Sequence, residues 1–82
     1  MDSFSDKVVI TFHSHYDAVK QKRKLEGCGL KASLVPVPRS LSSSCGTALM
    51  MDRADFDASL LIDSIEGAYI FQEDKWSGLQ EV

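Results

Sequence analysis

Long apolar runs are absent from these 82 residues, and no stretch approaches the roughly 20 residues a membrane-spanning helix needs. The opening, MDSFSDKVVITF, has no basic stretch ahead of an extended apolar one, so no secretory leader is read there. Cysteine is scarce. Two thiols, Cys28 and Cys45, do not make a disulfide scaffold, and free thiols in a reducing cytoplasm are the expectation. Positive charge is also short: nine Lys and Arg meet twelve Asp and Glu, for a net charge of -3. A dedicated nucleic-acid-binding domain more often has a pI above about 9, which makes a nucleic-acid partner unexpected. Internal repeats are missing, as is low complexity beyond the serines at 42–44.

What is present is the balance of a folded globular chain, 44% hydrophobic and 26% charged. We expect one domain over 1–82, with an ordered core from about 7 to 76. A chain this short buries only about 60% of its unfolded surface. That leaves little room for both a core and a pocket of about 300–1,000 Å³, so a second copy or a partner would help. Charge is divided unevenly. Residues 1–41 hold seven cations and four anions, whereas 42–82 hold two and eight.

Lys7–Phe12 is rich in β-branched and aromatic residues and reads as a strand. Ser14 is the candidate N-cap of a helix over HYDAVKQKRKLEGCG, with Asp17 as a weak acidic capping partner. The thin apolar stripe of that helix is Ala18, Val19 and Leu25, with Tyr16 at its start, and Gly27 or Gly29 ends it. Lys31–Val37 reads as a second strand. Pro36 and Pro38 lack the N–H of a central strand, which places this one at an edge. Cys45–Met51 reads as a third strand. A second helix follows, capped by Asp52 or Asp55, striped by Phe56, Leu60, Leu61 and Ile65, and stopped by Gly67. A fourth strand starts at Ala68. The order β-α-β-β-α-β is the ferredoxin-like α+β arrangement: a four-stranded antiparallel sheet, order 4-1-3-2, with both helices on one face. That topology brings His13, Ser14 and His15 to the sheet end that holds Arg39 to Gly46.

Cys45 is the candidate functional side chain. It sits in Ser42-Ser43-Ser44-Cys45-Gly46, where small residues leave a thiol accessible and free backbone N–H groups to face an anion. The nearby helix N-terminus, Arg39 and either His13 or His15 add positive character of the kind that activates a thiol. The competing reading makes Cys45 a small apolar residue starting a buried strand, and spacing alone weighs the two equally. Cys28, near the helix C-terminus and at the far end of the sheet from Cys45, reads as structural, with no Cys28–Cys45 bridge expected. His13 and His15 with Cys45 make an incomplete ligand set, so no metal is assigned; one histidine as a general base is the stronger use. Lys20, Lys22, Arg23 and Lys24 read first as a solvated helix face and second as a docking patch.

The run Leu34–Met50 resembles the bacterial Se/S carrier protein-like family. The matching features are Thr11-Phe12, Ser14-His15, Gly29-Leu30, Val35-Pro36-Val37-Pro38-Arg39 and Ser43-Ser44-Cys45-Gly46, over roughly residues 7–75. The resemblance implies a carrier rather than a stand-alone catalyst, with the carrier thiol at Cys45 and no resident cofactor. In the resemblance Pro36, Pro38 and Arg39 become loop-shaping and anion-facing candidates, and the residues read as binding or activating the thiol are Arg39, Ser43, Ser44, Gly46, His13, Ser14 and His15. It further implies donor and acceptor proteins as partners. Cys28 is a departure from the simplest pattern of that family and leaves a second thiol open. The competing function is a non-catalytic interaction module with a structural Cys45, as the fold alone fixes no activity; a metal-handling domain is the third.

Overall fold

The computed structural model describes residues 6–38, 41, 45–72 and 75–78. The chain is an α+β structure with one helix and a five-stranded antiparallel sheet. Strand β1 is Lys7–Phe12, helix α1 is His15–Gly27 and strand β2 is Ala32–Pro36. Strands β3 (Thr47–Asp52), β4 (Ile65–Gln72) and β5 (Lys75–Gly78) follow. The sheet order is β2-β3-β1-β4-β5, the order expected for four strands with β5 added outside β4.

Helix α1 begins and ends as its local chemistry dictates. Ser14 has extended backbone and its hydroxyl accepts from the Asp17 N–H at 3.3 Å, satisfying one of the four orphan donors of the first turn. At the other end, Leu30 N–H returns to Leu25 O and Gly29 N–H to Glu26 O, each at 3.0 Å. This is the Schellman pattern, and its left-handed residue is Gly29 at φ 82. The face α1 buries is Ala18, Gln21 and Leu25. Tyr16 is not part of that stripe. It points outward and is 74% exposed.

Strand β1 lies in the middle of the sheet. Val8, Ile10 and Phe12 pack with Ala18 and Leu25 of α1, Leu49 and Met51 of β3, and Ala68 of β4. The alternate residues Val9 and Thr11 lie on the opposite face and are equally buried. Thr11 Oγ1 donates to Gly67 O at 3.4 Å, so its hydroxyl has a partner. Each large apolar side chain buried this way stabilises the fold by about 1.5–3 kcal/mol.

The second helix does not form. Residues 53–60 make two single 3-10 turns, Arg53–Asp55 and Ala58–Leu60. Asp57 captures both the N–H (2.9 Å) and the hydroxyl (2.7 Å) of Ser59, a side-chain turn that competes with helix propagation. The expected stripe still reaches the core, since Phe56, Leu60, Leu61 and Ile65 pack against it, but from the two turns, their connection and the first residue of β4. Gln21, fully buried on α1, holds this segment in place. Its Nε2 donates to Leu60 O at 3.0 Å and its Oε1 accepts from Ile62 N–H at 2.7 Å. Asp17 adds a bond from Ser64 Oγ at 3.2 Å. Gly67 does not stop a helix; it lies inside β4, opposite Thr11. The chain continues from β4 into β5, where Trp76 pairs with Phe71 at 5.0 Å between ring centroids.

Strand β2 is the edge that its prolines predict. Val37 N–H turns inward to Gly46 O at 3.2 Å, so the nitrogen of Pro36, one residue earlier, faces the open side.

Candidate thiol site

Cys45 precedes β3 rather than starting it, and a single residue, Gly46, separates it from the ladder. Gly46 has φ 73, a left-handed conformation that a side chain would strain, and this turn points the chain into β3. The sulfur is fastened to the first strand residue. Cys45 Sγ donates to Thr47 O at 3.1 Å, and Thr47 N–H donates to Cys45 Sγ at 3.4 Å. The side chain is half-buried, one side against the core cluster.

The α1 N-terminus reaches this turn. His15, the first helical residue, is exposed and places Nδ1 3.5 Å from Thr47 Oγ1. His15 therefore meets the thiol turn through Thr47 rather than at the sulfur. Ser14 is occupied as the cap, its hydroxyl donating to Asp17 Oδ2 at 3.1 Å. His13 turns to β4, where Nδ1 lies 3.7 Å from Glu66 Oε2. The structure thus gathers Cys45, Gly46 and His15, keeps Ser14 beside them as a cap, and directs His13 to another strand. Arg39, Ser43 and Ser44 lie outside the described residues. Thr47 was not singled out in the sequence, although a β-branched hydroxyl directly after Cys-Gly is the visible signal for it. Among the described residues, no group of three or more His, Cys, Asp or Glu side chains forms a metal site.

Cys28 lies at the opposite end. It is the C-cap of α1, it is exposed, and it lines an open groove of about 610 Å³ with Leu30, Phe56 and Leu60. Both thiols are free.

This placement of the Cys45-Gly46 turn, after an edge strand carrying Val35 and Pro36, falls within a family match. The family model described as "Putative Se/S carrier protein-like" matches residues 7–64. The chain belongs to the Se/S carrier protein-like family. The match includes β1 to β3, α1 and the 3-10 turns, and it stops before β4, short of the residue 75 to which the sequence resemblance extends. No curated protein and no solved structure matches the chain. Among the described residues, no helix is long and apolar enough to cross a membrane.

Proposed function

We propose that this member of the Se/S carrier protein-like family carries sulfur or selenium on Cys45 and hands it from a donor protein to an acceptor. The observation that carries the reading is the half-buried Cys45 sulfur in the turn before β3, inside the family match, with a backbone N–H already aimed at it. The step balances without an oxidant. The Cys45 thiolate attacks the outer sulfur of a donor persulfide. A new S–S bond forms on Cys45, the donor's own S–S bond breaks, and the donor cysteine leaves as a thiolate. A selenopersulfide would transfer by the same exchange. When Cys45 is a thiolate it loses the bond it donates to Thr47 O but keeps the one it accepts from Thr47 N–H. His15 and the α1 N-terminus supply donors and partial positive charge at the same end of the sheet.

A second reading has its own support: Cys45 packs against the core and closes a local turn, as a structural residue would. One experiment separates them. Reduced protein is treated with a low-molecular-weight persulfide near neutral pH, and each cysteine peptide is weighed for one added sulfur atom. The carrier reading expects Cys45 to load at least about tenfold faster than Cys28. Exposure alone would favour Cys28, so that order requires an activated Cys45. Loading at Cys28 alone would leave Cys45 structural and the chain an interaction module.

A further inference from the structure

The outward face of α1 opposite Ala18, Gln21 and Leu25 carries a stripe that the thiol reading does not use. Tyr16, Lys20 and Arg23 are spaced i, i+4 and i+7, so they align along the helix, and Lys24 flanks them. All four are exposed, and Tyr16 at 74% exposure is one of the two exposed large apolar side chains among the described residues. The neighbouring Lys22 is engaged by Glu26 as an i,i+4 pair. The stripe begins next to His15, at the end of the molecule where Cys45 lies, and runs about 10 Å toward the other pole at 1.5 Å per residue.

We infer that this stripe is a docking surface for an acidic patch on a partner protein, with Tyr16 as its apolar anchor. The composition is that of interface hot spots, where Tyr and Arg carry binding energy. The charge is local rather than global. The whole chain is at -3, and yet this face of α1 presents three aligned or flanking cations with no carboxylate in the stripe. A protein surface fits better than a nucleic acid. The segment 53–64 beside α1 carries Asp55, Asp57 and Asp63, and Asp17 and Glu26 lie on α1 itself. These carboxylates and the net charge of -3 repel an extended polyanion, whereas a bounded acidic patch can meet the stripe alone. The inference goes beyond the carrier reading, because it holds for a chain that carries nothing.

The test is a two-dimensional NMR titration of the whole chain. The probes are a synthetic peptide of six glutamates around one phenylalanine, and a ten-nucleotide oligouridine. The peptide is expected to shift the amides of Tyr16, Lys20, Arg23 and Lys24, with at least about tenfold weaker binding at 500 mM than at 50 mM salt. The triple variant Lys20→Glu, Arg23→Glu, Lys24→Glu should weaken it at least tenfold. Lys31→Glu, an exposed cation off the stripe, should leave it within twofold. Tyr16→Ala should weaken the peptide severalfold but leave a plain hexaglutamate unchanged. Cys45→Ser should change nothing, which separates this surface from the thiol chemistry. Circular dichroism of each variant confirms that α1 is intact. Shifts elsewhere, insensitivity to salt, equal loss with Lys31→Glu, or tighter binding of the oligouridine to the same amides would each overturn the inference.

Discussion

Two thiols with the same chemistry occupy different surroundings, and the difference is legible at the level of single residues. Cys45 is held by both backbone polar groups of Thr47, whereas Cys28 is an exposed helix cap. The sequence pointed to Cys45 because Ser-Cys-Gly is a local signal; it showed the Thr47 hydroxyl but not the main-chain grip of Thr47 on the sulfur, formed across a Gly46 at φ 73. Asp57 gives a pH prediction. Hydrogen bonds from the Ser59 hydroxyl, first, and the Ser59 N–H, second, hold its carboxyl below the ordinary 3.8, against a smaller opposing effect of desolvation. A folded value lower than the unfolded one contributes stability that is fully present above the unfolded value and lost as pH falls through the folded one. The 58–60 turn should therefore loosen below about pH 4, read as faster exchange or a shift of the Ser59 amide. Asp57→Asn should remove that pH dependence. Gly67 gives another test. A Cβ there would come within 2.7 Å of the Tyr69 hydroxyl, whose ring lies over it. Gly67→Ala should cost about 1–3 kcal/mol in urea unfolding, and the cost should shrink in a Tyr69→Ala background.

Elements differ in how far their signals are local. Strand β1 and helix α1 follow from nearby residues: β-branched Val8, Val9 and Ile10, the Ser14 cap and the Gly29 stop. The missing second helix was hidden for a physical reason. Phe56, Leu60, Leu61 and Ile65 recur at helical spacing because each must reach the core, and short turns running into a strand can meet that demand as well as a helix. Besides the Asp57–Ser59 turn, what fixes the outcome is Gln21, a polar residue that the sequence did not single out. Buried on α1, it offers the 60–62 backbone the partners a helix would have supplied. Gln21→Leu keeps the volume but orphans Leu60 O and Ile62 N–H. It should destabilise the protein by about 1–3 kcal/mol and speed exchange at the Ile62 amide. If exchange there is unchanged, Gln21 is not the fastening.

At the scale of the molecule, the antiparallel order β2-β3-β1-β4 sets the ends of the chain's elements against each other. Cys45 precedes one end of β3, and Cys28 sits by Ala54 and Phe56 just beyond the other. A six-residue strand spans about 20 Å, far beyond the roughly 7 Å a disulfide allows between Cα atoms. Oxidation of the folded protein should give no Cys28–Cys45 crosslink within a chain, and peptide mapping after diamide treatment checks this. The strand order was readable because few ways of connecting these elements avoid crossings. Strand β5 was not, because Lys75–Gly78 is four residues long and takes its position from the Phe71–Trp76 pair.

The nitrogen of Pro36, turned to the open side of β2, bears on how this small protein survives its own concentration. An edge strand with a full row of donors is a template on which further copies can add, and fibrils grow from such templates. Beside Pro36 stands the exposed Leu34, the kind of side chain that would reward such growth. Proline leaves a gap in the row where the next copy would bond. Pro36→Val should keep the fold and restore the donor. The variant should form thioflavin-positive aggregates at concentrations where the parent chain stays clear, and parent-like clarity of the variant would show that the edge is guarded by something else.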